Sequence, residues 1–441
     1  MSRIRRFLRG MFSMSKSLNF AFQWIGPKGP ITNNRVPTMI DLVRAQFGKS
    51  APGDLLQDPH FYEIFGNNAN LVSCHKIPKG NVLYELNFST YHYRNWRKMF
   101  SINDGPFSDQ LREPGQIDYL LANNGYFLIT ILFEGWVHNQ LFDELINFFT
   151  YYNIPLDRVI YVTNCSNANE MYNAYCEARG IDPLLNVEYI PTCRIHQTGV
   201  EEPLRDRKNN PYVPGPRKKD FLCFQRRWSD HRLVFFLSMW RKGLLDNFYM
   251  SMSNTQPESR ASFKSNIEQV ARRHPKFKIT DEEVVNSEQV LPLILDTTNF
   301  DRYPMESSAN DVEQYYKDSM INIISETNFF TPEIHLNEKT YKPIAFKQPF
   351  IMMSAPYSLQ HLKDVGFKTF DKWWNEGYDK IVNNDDRMEE INRIVEEISN
   401  WTDEKKVQFT HEVKDIVEYN CEHLATMSHP EVKHFEEKYG N

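Results

Sequence analysis

Short apolar strands alternate with amphipathic helices along most of the sequence, and this alternation constrains the fold more than any other feature. Residues 126–133 are Tyr-Phe-Leu-Ile-Thr-Ile-Leu-Phe, a β-branched and aromatic run that is typical of a strand buried on both faces. Apolar residues at helical spacing predict a helix over 139–152, and the next strand is predicted at 158–163. Such alternation indicates βαβ units around a parallel sheet.

The pattern continues on both sides of a polar, proline-rich stretch at residues 201–219, which we interpret as an interdomain linker. The other predicted elements are strands at 81–86, 187–190, 221–224, 248–251, 291–295, 321–325 and 349–353, and helices at 168–179, 230–242, 386–401 and 403–420. We therefore predict an α/β fold of two Rossmann-like parallel-sheet domains that face a cleft, followed by C-terminal helices. Ligands of such sheets bind outside the carboxyl ends of the strands.

Shifts in this pattern also predict the domain boundaries. The predicted segments are an irregular N-terminal extension at 1–50, a first parallel-sheet domain at 51–215, a second at 216–378, and a helical segment at 379–441. At roughly 100–200 residues per domain, a chain of 441 residues suits two domains with flanking segments.

Charge and cysteine usage narrow the class of partner and the compartment. A net charge of −6 does not favour a nucleic-acid partner, which usually requires a basic face. The six cysteines form no C-x-x-C pair and match neither a zinc site nor a disulfide framework. Reduced thiols in a cytoplasmic protein are therefore predicted.

The N-terminus is the one segment that suggests membrane contact. No stretch reaches the ~18 apolar residues that a membrane-spanning helix needs. Residues 1–12 mix arginine with apolar side chains, and their apolar part is too short for a signal peptide. They could lie on anionic lipid as a peripheral anchor, or form a frayed or partner-docked tail, and both alternatives stay open.

Positive charge gathers after the predicted strand at 221–224. Arg226 and Arg227 lie in the following loop, and His231 and Arg232 lie in the first turn of the next helix. A helix N-terminus carries partial positive charge, so cations there are unfavourable unless an anion is bound. A phosphate would meet both the backbone N–H groups and the arginines. The alternative is a solvent-exposed basic loop that pairs with surface carboxylates.

A second polar cluster follows the predicted strand at 321–325. Glu326 comes directly after that strand, Asn337 is placed to cap a short helix, and Glu338 and Lys339 begin the helix. A carboxylate can accept hydrogen bonds from both hydroxyls of a ribose, and a neighbouring lysine can contact a diphosphate. This pair therefore suits a nucleoside diphosphate.

Both clusters resemble donor-binding motifs of the α1,3-fucosyltransferases. Glu326-Thr-Asn, followed after a loop by Asn337-Glu-Lys-Thr-Tyr-Lys-Pro-Ile-Ala-Phe-Lys-Gln-Pro-Phe-Ile, is similar to that family's Glu-Asn pair, Thr-Glu-Lys and subsequent Pro-Val or Pro-Ile strand. Phe221-Leu-Cys-Phe with Arg232 resembles the family's other donor element. The resemblance covers about 130 residues, all in the C-terminal half.

The resemblance implies a GT-B-like glycosyltransferase, with the acceptor held by residues 51–215 and the nucleotide sugar by residues 216–378. It implies that Arg232 and Lys339 bind phosphate and that Glu338 binds the ribose. The predicted donor-binding residues are Arg226, Arg227, Arg232, Glu326, Asn337, Glu338, Lys339, Tyr341 and Lys342. The base and the sugar of the donor stay open, because Asn337 stands where the motif has Thr, Thr327 stands where it has Asn, and Lys342-Pro343 is unusual in it.

Two further residues are candidates for the catalytic base. Glu134 comes directly after the predicted strand at 126–133, and His138 lies about one helical turn further along the chain. Either could deprotonate an acceptor hydroxyl. The resembled family is inverting and uses a glutamate of its N-terminal domain. The alternative is that Glu134 only caps a helix and that His138 only makes hydrogen bonds with its neighbours.

These features predict a glycosyltransferase that moves a sugar from a nucleoside-diphosphate sugar, GDP-fucose among the candidates, to a glycan or protein acceptor. No D-x-D motif is present, which favours a metal-independent mechanism without a cofactor, and the resemblance implies that the transfer is inverting. One alternative is a non-catalytic interaction protein on the same fold. A different α/β enzyme that binds phosphate, such as a kinase or an NAD enzyme, is the least favoured alternative, because neither a P-loop nor a G-x-G-x-x-G motif is present.

Overall fold

A computed structural model describes most of the chain outside the N-terminal region. The residues that it describes are 18–22, 69–73, 81–86, 100–102, 107, 111, 115–132, 137–196, 200–225, 228–252, 263–274, 276–291, 293, 295 and 309–440. The chain divides into two compact units, one made of residues 1–196 and 428–441 (unit 1) and the other of residues 197–427 (unit 2).

Unit 1 is built on a parallel sheet of six strands in the order β2-β1-β3-β4-β5-β6. The strands are Leu18–Phe22 (β1), Ala69–Ser73 (β2), Val82–Glu85 (β3), Tyr126–Ile131 (β4), Val159–Thr163 (β5) and Asn186–Tyr189 (β6). β5 is buried along its whole length, as the continuous apolar pattern of a parallel sheet requires.

The helices of unit 1 cover this sheet with the apolar faces that their periodicity predicts. They are Gln116–Ala122 (α1), Asn139–Tyr151 (α2), Ala168–Arg179 (α3) and the short Thr192–Ile195 (α4), with a 3₁₀ turn at Leu156–Arg158. α2 buries Leu141, Phe142, Leu145 and Phe149. α3 ends at Gly180, whose φ of 64° lies in the left-handed region that glycine adopts without strain.

β1 differs from the prediction for the N-terminal region. Leu18–Phe22 pairs with β2 on one side and β3 on the other, although it lies within residues 1–50, which were predicted as irregular. The segment is five residues long and carries a polar Asn19, so its apolar pattern is too short to indicate a strand. Pairing with two neighbouring strands decides its conformation.

Unit 2 is built on a parallel sheet of four strands in the order β10-β9-β7-β8. The strands are Lys219–Gln225 (β7), Phe248–Met252 (β8), Ser319–Ser325 (β9) and Phe350–Met353 (β10). Of the strand predicted at 291–295, the structure describes residues 291, 293 and 295, among which Leu293 forms an isolated antiparallel bridge with Met252. The prediction of an α/β chain with two parallel sheets is confirmed.

The helices of unit 2 surround its sheet and extend through most of the chain's C-terminal part. They are Glu201–Asp206 (α5), Asp230–Arg241 (α6), Phe263–Arg273 (α7), Asp281–Glu288 (α8), Ala309–Asp318 (α9), Glu338–Ala345 (α10), Ser358–Asp364 (α11), Asn384–Ser399 (α12), Asp403–Glu412 (α13) and Lys414–Thr426 (α14), with 3₁₀ turns at Leu245–Asn247 and Glu376–Lys380. α6 begins at the predicted residue and ends one residue before the predicted end.

The predicted linker at 201–219 is a packed part of unit 2. It contains α5, and its backbone is held by side chains from distant parts of the sequence. Nζ of Lys347, a buried lysine, donates to the carbonyls of Arg207 and Asn210, at 2.8 and 2.9 Å. The Tyr212 amide donates to Glu418 at 2.6 Å. The segment looks like a linker in sequence because its polar groups bond to partners that are remote in the chain.

A last helix, Pro430–Tyr439 (α15), belongs to unit 1 although it follows unit 2 in the chain. Val432, Phe435 and Tyr439 are buried with apolar residues of the first sheet, including Leu128 and Ile160. The helical segment predicted at 379–441 is thus divided between the two units.

Polar contacts of α15 fix its position on unit 1. The fully buried Arg194 donates to Glu431 at 2.6 Å, and the Tyr439 hydroxyl donates to Glu188, also at 2.6 Å. Each bond joins a side chain of α15 to a side chain of an earlier part of unit 1.

His429, which precedes α15, makes the stability of unit 1 depend on pH. Burial, with the charges of Arg194 and His196, lowers the pKa of His429 to about 3. Unfolding restores an ordinary pKa near 6.5, so the unfolded chain binds the proton first as pH falls. The contribution of His429 to the free energy of unfolding therefore decreases below about pH 6.5, by up to about 1.4 kcal/mol per pH unit.

We expect the His429→Asn variant to lose about 1–2 kcal/mol less stability than the wild type between pH 7 and pH 5. Urea unfolding at the two pH values measures this difference. His434→Asn is the matched control, because His434 lies in α15, five residues further along the chain, and its side chain is 64% exposed. Equal losses in the wild type and His429→Asn would contradict the prediction.

Candidate functional site

The strand order of unit 2 marks where a ligand is expected. β7 is the first strand, β8 lies on one side of it, and β9 lies on the other side. In open parallel sheets, ligands bind outside the carboxyl ends of the two strands between which the order reverses. Here those strands are β7, which ends at Gln225, and β9, which ends at Ser325.

Helix α6 begins at this reversal without a side-chain cap. Ser229 has extended backbone at the N-cap position, but within the described part of the chain its side chain makes no cap hydrogen bond. Its hydroxyl lies 3.3 Å from Nδ1 of His231 instead. The Ser229 side chain thus leaves the first-turn amides of α6 uncapped, and amides of this kind can bind phosphate at helix N-termini.

His231 is a neutral, buried connection between α6 and the end of β9. Its Nε2 lies 3.0 Å from the carbonyl of Glu326, and its ring stacks on Phe329. A carbonyl only accepts, so Nε2 carries the proton and Nδ1 accepts from Ser229. Burial, and next the charge of Arg232, hold the pKa of His231 well below its ordinary value. His231 therefore contributes no positive charge to the site at neutral pH.

Arg232 reaches the same strand end. Its Nε donates to the hydroxyl of Ser325 at 3.1 Å, and a terminal guanidinium nitrogen donates to the Ser325 carbonyl at 3.1 Å. The side chain is buried, unlike that of an arginine in an exposed basic loop. Arg232 places a positive charge beneath the first turn of α6, and its contact with a phosphate stays a prediction.

Glu326 is fully buried and holds the start of α10. Its Oε1 accepts from the Asn337 amide at 3.2 Å and from the Thr340 hydroxyl at 2.5 Å. Its Oε2 has no hydrogen-bond partner among the described residues. Burial raises the pKa of Glu326, and the nearby charge of Lys339 opposes this shift.

The first turn of α10 presents an ion pair that is part-exposed. Asn337 caps the helix as predicted, since its Oδ1 accepts from the Lys339 amide at 2.9 Å. Nζ of Lys339 lies 3.2 Å from the same Oδ1 and 3.4 Å from Oε1 of Glu338. Burial would raise the pKa of Glu338, but the charges of Lys339 and Lys342 hold it below its ordinary value. Glu338 is therefore an anion at neutral pH.

Tyr341 and Lys342 occupy different faces of the same helix. Tyr341 is buried with Ile344 and Ala345, so its ring belongs to the packed face of α10. Lys342 is half-buried and acts on Glu338 through its charge. α10 continues through Pro343, which has no amide to donate to the Lys339 carbonyl one turn earlier.

The loop between β9 and α10 is fixed by aromatic contacts. Phe330 stacks on His274 at a centroid distance of 4.2 Å. The guanidinium of Arg387, from α12, lies 4.3 Å from the ring centroid of Phe329 and donates to the Phe329 carbonyl. Contacts from α6, from His274 directly after α7, and from α12 thus hold one loop, and with it the positions of Glu326 and Asn337.

Three predicted site residues, Glu134, Arg226 and Arg227, lie outside the described residues. His138 is described and is the N-cap of α2, where its Nδ1 accepts from the Leu141 amide at 3.1 Å. This bond assigns the proton to Nε2, so His138 is a hydrogen-bond donor at that nitrogen.

No protein-family model matches the chain, and no curated protein matches it. Solved structures to which it is similar are glycosyltransferases. A DNA-modifying β-glucosyltransferase, described with its substrate uridine diphosphoglucose, is 12% identical, with 95% of this chain and 99% of that chain covered and a TM-score of 0.39. An α,α-trehalose-phosphate synthase (UDP-forming) from Burkholderia vietnamiensis is 11% identical over 96% and 97%, with a TM-score of 0.42.

A glycosyltransferase from Rickettsia africae is 13% identical, with 82% of this chain and 76% of that chain covered and a TM-score of 0.38. At such identities and TM-scores, these similarities carry no argument about substrate or mechanism. The functional argument therefore rests on the site at the ends of β7 and β9.

Several parts of this site are missing from the sequence prediction. Gln225 is a polar residue at the end of an apolar strand, and this position could have indicated a residue of the site. Thr340 and Arg387 gave no signal, because each lies in a polar or charged stretch that is typical of a solvated helix face. Only the folded structure shows that both are buried.

A separate groove of about 780 Å³ lies between α6 and α12. Its basic side chains already pair with acidic ones, as in the ion pairs Lys242–Glu396 and Arg393–Glu390. None of the candidate-site residues described at the ends of β7 and β9 lines this groove. The groove therefore does not share the chemistry of the candidate site.

Two other kinds of feature are absent from the described residues. No helix among them is long and apolar enough to cross a membrane. No three or more His, Cys, Asp or Glu side chains among them gather where they could hold a metal ion.

Proposed function

We propose that this protein is a glycosyltransferase that takes a sugar from a nucleoside-diphosphate sugar. The observation that carries the proposal is the part-exposed Glu338–Lys339 pair, which begins α10 at the point where the strand order of unit 2 reverses. The first turn of α6, without a side-chain cap, begins at the same edge of the sheet.

This arrangement suits the two ends of a ribose-diphosphate group. The Glu338 carboxylate accepts the ribose hydroxyls, and its lowered pKa keeps it ionised for this role. Nζ of Lys339 and the α6 amides donate to the diphosphate. The same donors stabilise the negative charge that develops on the diphosphate as it leaves, without a metal ion.

The catalytic base is proposed in unit 1. Glu134 follows β4 and is the preferred candidate for deprotonating the acceptor hydroxyl in an inverting transfer. His138 is a weaker candidate, because its Nδ1 accepts a backbone hydrogen bond and its other ring nitrogen carries the proton. A glycan or a protein is the proposed acceptor, GDP-fucose a candidate donor, and the cytoplasm the proposed compartment.

Replacing Lys339 tests the donor site. We expect Lys339→Met to weaken binding of the cognate nucleoside diphosphate about 10–150-fold, because one charge-assisted hydrogen bond contributes about 1.5–3 kcal/mol. Calorimetric titration of the wild type and the variant with GDP, UDP and CDP measures the change.

Lys405→Met is the matched control. Lys405 also lies in the first turn of a helix of unit 2, but its Nζ contacts the ring of Trp401 instead of the candidate site. The control should bind with wild-type affinity. The proposal fails if the wild type binds none of the three nucleotides, or if Lys339→Met binds as tightly as the wild type. Nucleotide binding without turnover of any nucleotide sugar would favour a non-catalytic interaction protein.

A further inference from the structure

His274 is a buried histidine at the meeting point of three elements of unit 2. It follows α7 directly, and its side chain is only 10% exposed. Asp230, the first residue of α6, and Asp385, in the first turn of α12, face its two ring nitrogens. Its ring stacks on Phe330 of the loop between β9 and α10. His274 therefore contacts the first turn of α6 and the loop that leads to α10 at the same time.

The two nitrogens of this ring are not equally bonded. Nδ1 lies 3.2 Å from Oδ1 of Asp385, which is a hydrogen-bond distance. Nε2 lies 3.5 Å from Oδ2 of Asp230 and, although buried, has no hydrogen-bond partner among the described residues. An ionised carboxylate only accepts, and a neutral imidazole has one N–H group. The geometry is therefore that of a neutral ring with its proton on Nδ1, whose Nε2 lone pair faces a second carboxylate.

One added proton would complete the second contact. An imidazolium donates from both nitrogens, so it can bridge Asp230 and Asp385. Charge-assisted hydrogen bonds of this kind are shorter than 3.5 Å, so the bridge would draw Asp230 towards the ring. Histidine is the side chain whose charge ordinarily changes between about pH 5 and 8.

The other charged groups around the ring leave this bridge possible. Arg273 pairs with Asp230 at 3.0 Å, but its side chain is 62% exposed, so solvent screens its charge. Lys276 pairs with Asp386 of α12, and burial keeps His231 of α6 neutral. Carboxylate oxygens accept more than one hydrogen bond, so Asp230 can keep Arg273 and still accept from the ring.

We propose that His274 takes up a proton when the diphosphate of the donor binds, and that the protonated ring then joins α6 to α12. This inference rests on the proposed function, which places the diphosphate at the first turn of α6. Asp230 lies in that turn, so a bound diphosphate brings negative charge close to its carboxylate. Protonation at Nε2 offsets this charge. The proton comes from solvent, and the only covalent bond that forms is Nε2–H.

His274 is thus a positioning residue, which acts on the donor through its neighbours. Its bridge fixes the carboxylate of Asp230 beside the phosphate-binding amides. Its stacking on Phe330 fixes the loop that carries Asn337, the cap of α10. The proton therefore couples the two helix N-termini that the proposed donor site uses.

This coupling has a definite sign. Because binding adds a proton, the affinity for the nucleotide should rise as pH falls from about 8 to 6.5, by at most about tenfold per pH unit. The phosphate of the nucleotide also titrates near the lower end of this range. That contribution is common to the wild type and its variants, so comparing them at each pH isolates the contribution of His274.

Two substitutions fix the bridge in its two states. His274→Gln presents one NH₂ group and one oxygen, so it resembles the neutral ring and cannot gain a proton. Its affinity should match the wild type at about pH 8 and be at least about threefold weaker at pH 6.5. In Asp385→Asn, the new amide can donate to Nδ1, so a neutral ring carries its proton on Nε2, towards Asp230. This variant should keep the low-pH affinity of the wild type at each pH.

His423→Gln is the matched control. His423 is a part-buried histidine of α14 whose ring also stacks on an aromatic side chain, that of Tyr419. Its Nε2 lies 2.8 Å from the Val365 carbonyl, a contact that a neutral ring satisfies with its single N–H group. The control should therefore keep the wild-type dependence of affinity on pH.

Calorimetric titration at about pH 6.5, 7.25 and 8 gives the affinities, with whichever of GDP, UDP and CDP the wild type binds. Repeating each titration in two buffers of different ionisation enthalpy gives the number of protons taken up. We expect the wild type and His423→Gln to take up more protons per nucleotide than His274→Gln and Asp385→Asn.

The inference is overturned if His274→Gln weakens binding by the same factor at each pH, as the loss of a purely structural contact would. It is also overturned if Asp385→Asn takes up as many protons as the wild type, and this result decides alone should His274→Gln fail to fold. A wild-type protein that binds none of the nucleotides refutes the proposed function, and the inference with it. The two kinds of failure are therefore distinguishable.

Discussion

Arg387→Met is expected to lower the free energy of unfolding of unit 2 by about 3–5 kcal/mol. Arg387 is fully buried, and burial lowers its pKa to about 10, so it stays charged at neutral pH. It donates to the carbonyls of Ser354 and Ile381, at 3.2 and 2.6 Å, and to the carbonyl of Phe329. Methionine fills a similar volume but leaves these buried acceptors without a donor, at about 1–3 kcal/mol each.

The effect of Arg387→Met should also reach the candidate site. The loop that carries Phe329 and Phe330 connects β9 to α10, so its release should reduce nucleotide affinity together with stability. Guanidinium unfolding measures the stability change, and hydrogen exchange at residues 327–336 measures the release of the loop.

Arg393→Met is the control on the same helix. Arg393 is half-exposed and makes ion pairs with Glu390 and Glu397, and such surface pairs contribute roughly 0–1 kcal/mol. Similar stability losses in the two variants would show that the bonds of Arg387 do not hold the loop.

Phe435→Ala is expected to destabilise unit 1 by about 3–5 kcal/mol, although the residue follows unit 2 in the chain. Its ring is fully buried with Leu18, Leu128 and Ile160 of the first sheet. Truncation removes the transfer free energy of the ring and leaves a cavity against the sheet. Hydrogen exchange should show lost protection in β4 and β5 and unchanged protection in β7 and β9.

Two controls locate this effect. Lys433→Ala alters a side chain of α15 that is 73% exposed, and we expect a change within about 0.5 kcal/mol. Phe409→Ala removes a buried ring of unit 2, so its loss of protection should appear in unit 2. If Phe435→Ala reduced protection in β7 and β9 as much as in β4 and β5, the assignment of α15 to unit 1 would be wrong.

The parts of the fold that follow from local physics could be predicted. α2, α3 and α6 lie within one residue of their predicted bounds, because each has a long apolar stripe and terminal signals in its own sequence. The strands at the centre of both sheets have continuous apolar runs, so their own sequences indicate strands without information from tertiary contacts. β1 could not be predicted, because its pairing with β2 and β3 decides its conformation.

The sequence shows only some of the contacts that the folded chain makes among the residues of the candidate site. The Glu338–Lys339 pair and the Asn337 cap depend on residues next to each other, so the sequence shows them. The inward bonds of Arg232 and the place of the buried His274 between two carboxylates depend on the fold. Burial of a polar side chain is decided by elements far away in the chain, which residue spacing does not report.

The position of α15 has a consequence for synthesis on the ribosome. The first sheet is translated before unit 2, but the helix that covers its Leu128 and Ile160 comes only after residue 427. At about 5–20 residues per second, translating residues 197–427 takes roughly 10–50 s. During that interval the nascent first unit exposes an apolar surface that a chaperone can bind, and unit 2 can complete its core first.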